Sequence, residues 1–144
     1  MKFPRVIYFV LLLSFLAIFL AVSGCIEPKY DCSVKQGSVT VTNGLNTDAL
    51  VNLVDKNNNV IQSVKINANS KGKINNICNG RYYLFYELGE QWDSSVNDFK
   101  IIIKRSKFVD PVDFDGSNYY EATLQPVVGG NAQTSTVDES NWPK

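Results

Sequence analysis

Chemistry in a protein chain starts with its nucleophiles, acids and metal ligands, and here the most versatile of them is missing: none of the 144 residues is histidine. That removes Ser-His-Asp and Cys-His nucleophile pairs, imidazole acid-base catalysis and every metal site built on an imidazole. Carboxylates, thiols and aromatics remain. Glu87, Glu90 and Asp93 surround Trp92, a pattern that serves glycoside hydrolysis if one carboxyl keeps its proton and a second stands at a fixed separation. Trp92, Tyr83 and Phe85 could instead form a ligand surface for sugar or peptide, against the ordinary role of such aromatics in closing a core. Asp110, Asp113 and Asp115 offer the oxygen ligands calcium takes. However, Pro111 and Phe114 occupy spacer positions and Gly116 follows at once, which breaks the EF-hand pattern. A solvated turn is expected there, with no metal and no cofactor. Lys100, Lys104, Arg105 and Lys107 flank Ile101-Ile102-Ile103, either as a phospholipid-facing patch or as charges guarding an edge strand. The inventory favours binding over catalysis, and the chain is expected not to be an enzyme.

Charge narrows the partners. The 14 basic and 14 acidic residues cancel, which argues against nucleic acid. The first 24 residues hold 18 of the 64 apolar ones. Without them 46 of 120 residues are apolar, about 38%, and the charge is 12 minus 14, or −2, an ordinary composition for one small domain. Lys2 and Arg5 precede an apolar run over residues 6–22 broken only by Ser14, the layout of an export signal. Its 17 residues also reach the lower limit of a spanning helix. The next four, Val22-Ser23-Gly24-Cys25, resemble the lipobox of prokaryotic lipoproteins. That resemblance implies cleavage after residue 24 and lipid on the Cys25 thiol. The alternative is an uncleaved single-pass signal anchor with the same topology, everything from residue 26 onward facing out. Both place the protein at the cell membrane. If Cys25 carries lipid, Cys32 and Cys78 remain as a pair in a compartment where disulfides persist; the alternative is two buried or free thiols, since bridging needs their Cα atoms close in space.

These groups need a scaffold, and the composition names its class. Beyond the signal, Val and Ile total 21 while Leu and Ala number 6 and 4, a ratio that favours strands. Residues 25–36 read as a lipidated tether containing Pro28. The spacing then predicts strands over 38–42, 49–55, 60–66, 74–77, 82–88, 100–104, 107–114 and 118–125. Turns are predicted at Asn43-Gly44, at 56–59, around Ser70-Lys71-Gly72, at Asn79-Gly80 and at Gly116. Residues 82–88 are apolar or aromatic on both faces, so that strand should be central, with both faces covered or one of them used. The fold class is therefore all-β: a small antiparallel Greek-key sandwich of about seven strands over 37–128, after an N-terminal hydrophobic signal helix and before a polar tail over 129–144. Trp142 in that tail could dock as a plug.

The stretch 38–88, whose final strand carries the Gly-x-Tyr signature as Gly80-Arg81-Tyr82, resembles the transthyretin-like or carboxypeptidase-regulatory type of β-sandwich. The continuation 87–93 and the later 126–132 resemble a group of small uncharacterised prokaryotic domains. Neither resemblance implies a catalytic residue. The expectation is a membrane-anchored extracytoplasmic lipoprotein acting as a binding or accessory module toward a protein or carbohydrate partner. The other readings are a self-associating envelope component and the single-pass protein with the same outward domain.

Overall fold

A computed structural model describes residues 32, 33, 35–116, 118–125, 129, 130 and 132–144. The export signal, Cys25 and most of the tether lie outside the described residues. Nine strands follow in order: β1 (Lys35–Asn43), β2 (Asp48–Asp55), β3 (Val60–Ile66), β4 (Ser70–Cys78), β5 (Gly80–Asp93), β6 (Asp98–Phe108), β7 (Val112–Phe114), β8 (Tyr119–Thr123) and β9 (Thr134–Thr136). They form two sheets, one ordered β4-β1-β8 and the other β3-β2-β5-β6-β9, with β7 beside the start of β5. Connections cross between the sheets at β1 to β2, β3 to β4, β4 to β5, β7 to β8 and β8 to β9, and the result is the all-β sandwich the sequence implies.

Hydrophobic alternation sets which faces meet. Val39 and Val41 of β1 and Ile74 and Ile77 of β4 face Ala49, Val51 and Leu53 of β2 and Tyr82, Leu84 and Tyr86 of β5 in one buried cluster. Each fully buried aliphatic side chain contributes roughly 1.5–3 kcal/mol. β2 and β5 carry apolar residues on both faces, are mostly buried, and are both interior strands of the larger sheet. The corner between β1 and β2 is held by Asn43, fully buried. Its amide donates to the carbonyls of Thr47 at 2.8 Å and Asn67 at 3.1 Å, and its Oδ1 accepts from the Leu45 N–H.

The structure departs from the sequence expectation in four places. The turn expected around 70–72 is strand, because the chain reverses earlier, at Asn69, where φ is 53° and the N–H donates to the Leu45 carbonyl. The strand expected over 107–114 is two elements, the end of β6 and β7, separated at 109–111 where Pro111 supplies no donor for a ladder. β8 lies parallel to β1, with Val39 beside Tyr120 and Val41 beside Ala122, a departure from purely antiparallel pairing. Residues 134–144, expected as a polar tail, form β9 against β6 and then a 3-10 turn, Glu139–Asn141.

Cys32 and Cys78 are bonded, with sulfurs 2.00 Å and Cα atoms 4.8 Å apart. The bridge fastens the segment entering β1 to the end of β4, where Lys35 already pairs with Cys78.

Candidate functional site

One face of the larger sheet looks away from the sandwich core, and its covering is uneven. In register across β2, β5 and β6 its rows are Asn52–Phe85–Lys107 and Leu50–Glu87–Arg105. The C-terminal segment crosses this face as a strap. β9 pairs with residues 106–108 of β6, the Val137 N–H donates to the Arg105 carbonyl at 3.0 Å, and the Val60 N–H of β3 donates to the main-chain oxygen of Lys144 at 3.3 Å. Between these ties Trp142 meets Phe85 edge-on, centroids 5.9 Å apart, and receives the Arg105 guanidinium over its ring at 5.2 Å. Val54, Phe85 and Val137 form a second buried cluster under it. Trp142 thus docks on its own domain.

Beside the strap the face is open. A hollow of about 410 Å³ runs between Phe85 and Lys107 on the sheet, Asn58 in the β2–β3 loop and Thr136, Asp138 and Ser140 on the strap. A second hollow of about 240 Å³ shares Asn58, Phe85 and Lys107 and extends to Tyr83, Asp55 and Lys56. Together they make one groove. Its floor is aromatic, and its rim carries amides, hydroxyls, the carboxylates of Asp55 and Asp138, the Lys56 ammonium and the Lys107 ammonium, which sits 5.9 Å over the Phe85 ring. The loop on one side is set by Asp55, whose Oδ1 accepts from the N–H groups of Asn57 at 2.8 Å and Asn59 at 2.9 Å. Burial pushes the Asp55 pKa up, but the bonds from Asn59 and Asn57 outweigh it and hold the carboxylate below its usual range.

The distal end of the β5–β6 hairpin, residues 89–102, here termed the arm, bends over the same face, where Phe99 meets Gly89 and Trp92 meets Lys65. The β5–β6 register slips between Leu88 and Gly89, and Gln91 has φ 56°. Beyond this kink Trp92 packs on Phe99, centroids 5.1 Å apart, and lies under Lys65 of β3 at 5.9 Å. Phe99 in turn sits over Gly89, where a Cβ would come within 2.4 Å of the ring.

The sequence-derived candidates therefore separate. Tyr83 and Phe85 share the groove, and Trp92 does not reach it. Glu87, Glu90 and Asp93 do not converge on a pocket: Glu87 is fully buried, Glu90 is exposed, and Asp93 accepts from the Ser95 hydroxyl and N–H at the hairpin turn. The Asp93 carboxylate is held low by those Ser95 bonds. Glu87 Oε2 accepts from Arg105 Nε at 2.6 Å. Burial, and then the nearby Asp98 carboxyl, push the Glu87 pKa up to about 7 against the pull of Arg105. In the acidic segment, Asp113 is paired bidentately with Arg81 at 2.7 Å through each oxygen, and Asp110 and Asp115 are exposed. Among the described residues no group of three or more acidic or thiol side chains is arranged to hold a metal, and no helix is long and apolar enough to cross a membrane.

Two groove elements escaped sequence reading: Lys107 and the strap. Lys107 shares the face of Phe85 because the two are directly opposite in the β5–β6 register, a pairing that depends on a register slip. The strap has no hydrophobic periodicity to announce it, only Val137 and Trp142. The sequence matches no protein-family model and no curated protein.

Proposed function

We propose that this protein is a lipid-anchored, extracytoplasmic binding module, not an enzyme, and that its contact surface is the groove floored by Tyr83 and Phe85. The observation that carries the reading is the position of that groove. It lies outside the sandwich core, with an aromatic floor and a polar rim of amides, hydroxyls, the lysines Lys56 and Lys107 and the carboxylates Asp55 and Asp138, features that suit a hydroxyl- or amide-rich chain such as a glycan or an extended peptide. The anchor rests on the apolar run at 6–22 and the lipobox-like Val22-Ser23-Gly24-Cys25. The Cys32–Cys78 bridge suits an oxidising compartment. In this reading lipid holds the domain at the outer membrane surface, the tether sets its reach, and the groove meets polymer or protein there.

The test has two arms. Mass spectrometry of the membrane-extracted protein should show loss of residues 1–24 and added lipid, with Cys25→Ala left as unprocessed precursor; an uncleaved wild-type chain would instead support the single-pass anchor. Binding of the intact protein to glycan and peptide fractions of its own cell surface should weaken at least tenfold in Tyr83→Ala. Equal binding by that variant would remove the groove from the account.

A second reading, self-association, draws on one specific feature. Ile101, Ile102 and Ile103 are 43, 36 and 53% exposed, on a part of β6 that β9 does not pair. Such an apolar, unpaired edge can add a strand from a neighbour. Sedimentation that shifts with concentration in wild type and not in Ile102→Lys would establish it.

A further inference from the structure

The groove offers a ligand many side chains and little main chain. Its floor is the face of a sheet whose strands pair with one another: Phe85 stands between Asn52 of β2 and Lys107 of β6, and Lys107 between Phe85 and Ser135 of β9. The walls are closed in the same way. On the loop side the Asp55 N–H donates to the Asn59 carbonyl at 3.0 Å and the Asn58 N–H to the Asp55 carbonyl at 3.1 Å. On the strap side the Val137 N–H donates to the Arg105 carbonyl and the Asn141 N–H to the Asp138 carbonyl, both at 3.0 Å. An extended peptide laid here would turn its own N–H and C=O groups toward side chains, without the ladder that gives strand addition its affinity. A sugar ring has different needs. Its C–H face packs on an aromatic ring, and its hydroxyls pair with amides and hydroxyls. Those are the groups present: Tyr83 and Phe85 on the floor, with Asn58, Thr136, Ser140 and Asn141 around them.

Charge is unevenly placed along the rim. Lys107 borders both hollows and so stands at the centre. It is half-buried, with its ammonium 5.9 Å from the Phe85 ring centroid, and no carboxylate among the described residues forms an ion pair with it. Lys56 and Asp55, adjacent in the chain, offset each other in the second hollow, where Asp55 is also turned into its own loop by bonds from Asn57 and Asn59. Asp138 borders only the hollow beside the strap, exposed and without a bond to the 3-10 turn it precedes. The rim is neutral as a whole, with an unpaired cation in the middle.

We infer that the groove takes a glycan bearing carboxylates, a uronate-containing chain, with a sugar ring on Phe85 and Tyr83 and its carboxylate on the Lys107 ammonium. This rests on the groove being the contact surface and adds the class of ligand it takes. The ammonium supplies what a neutral sugar would leave unused, an opposite charge on a half-buried cation. Lys107 has no arginine fork and no nest of free N–H groups beside it, so it suits a singly charged carboxylate better than a phosphate ester. Asp138, at the strap end, accepts from sugar hydroxyls.

Calorimetric titration of the intact, detergent-solubilised protein tests the inference. The probes are short oligomers of galacturonate and of mannuronate, their carboxyl-reduced neutral counterparts, and tetraglutamate as an acidic peptide. At least one uronate oligomer should bind, with its neutral counterpart about fivefold weaker, the effect of one half-buried ion pair, and tetraglutamate at least tenfold weaker. Lys107→Gln should bring acidic and neutral oligomers to within twofold of each other, and Tyr83→Ala should weaken the uronate at least tenfold. Neutral oligomers binding as tightly as uronates, or discrimination unchanged in Lys107→Gln, overturns the acidic preference and leaves the groove standing. Tetraglutamate binding as tightly as the uronates overturns the glycan. Uronate binding undiminished in Tyr83→Ala, or no uronate binding at all, overturns the inference entirely. In that last case, Tyr83-dependent binding to cell-surface fractions would show that the groove itself survives, and loss of both would remove it.

Discussion

Replacing Trp142 with alanine tests whether the C-terminal strap is part of the domain. The indole meets Phe85 edge-on at 5.9 Å, a contact contributing about 0.5–1.5 kcal/mol beyond burial. The Arg105 guanidinium at 5.2 Å adds about 0.5–1 kcal/mol. Apolar burial of a partly exposed Trp adds less than the roughly 3–5 kcal/mol of a full core truncation. Against these stands the conformational freedom regained by the last residues, about 1 kcal/mol for each one released. The net loss should be about 2 kcal/mol, which for a domain of this size lowers Tm by roughly 10 °C. Denaturant titration measures the first quantity. Hydrogen exchange locates it: the Val60 amide, bonded to Lys144, and the Val137 amide, bonded to Arg105, should exchange at least tenfold faster while the Val51 amide is unchanged at equal stability. A loss below about 0.5 kcal/mol with both amides still protected would refute the idea that the strap is held by Trp142.

Further outcomes follow from the same contacts. Stability should fall as pH rises from about 4.5 to about 7, by about 3 kcal/mol, because the folded chain keeps the Glu87 proton up to about pH 7 whereas an unfolded glutamate releases it near 4.5. It should fall again below pH 4, where Asp48, held low by Lys65, and Asp55, held low by its loop amides, become protonated; the optimum lies between, and thermal melts across pH 3–8 locate it. Glu87→Gln should remove the upper slope and keep the lower one. Breaking the Cys32–Cys78 bridge with serines opens a loop of sequence separation 46, for which chain entropy predicts a loss of about 4 kcal/mol in denaturant titrations. Gly89→Ala, with its new Cβ 2.4 Å from the Phe99 ring, should displace the arm and raise acrylamide quenching of Trp92 without unfolding the sandwich.

The elements that could be read from sequence are those whose signals are local. β1, β2 and β3 announce themselves by period-two alternation between Asn-rich turns, and β3 begins and ends where that pattern does. The two-faced hydrophobicity of residues 82–88 identifies β5 as central for the same reason. The disulfide follows from cysteine arithmetic once Cys25 is assigned to lipid. What could not be read depends on distant partners. Trp142 and Phe85 are 57 positions apart; Trp142 marks the tail as a candidate plug, but nothing in the sequence names Phe85 as its seat. The parallel β1–β8 pairing requires knowing where the chain returns after two crossovers. Trp92 is the sharpest case. On an unbroken strand it would share the inner face with Leu88 and Tyr86; the kink at Gln91, an ordinary residue with φ 56°, carries it instead to Lys65 on the outer side. The aromatic platform expected of Trp92, Tyr83 and Phe85 is for that reason two separate places, and only Tyr83 and Phe85, two residues apart on one strand, stay together.

The binding account is tested most directly by mapping backbone and aromatic-ring resonances of the intact protein while cell-surface glycan and peptide fractions are added. It predicts shifts that saturate and are confined to Tyr83, Phe85, Asn58, Lys107 and the adjoining strap. Saturable shifts centred on Ile101–Ile103, or none at the groove under any fraction, would contradict it.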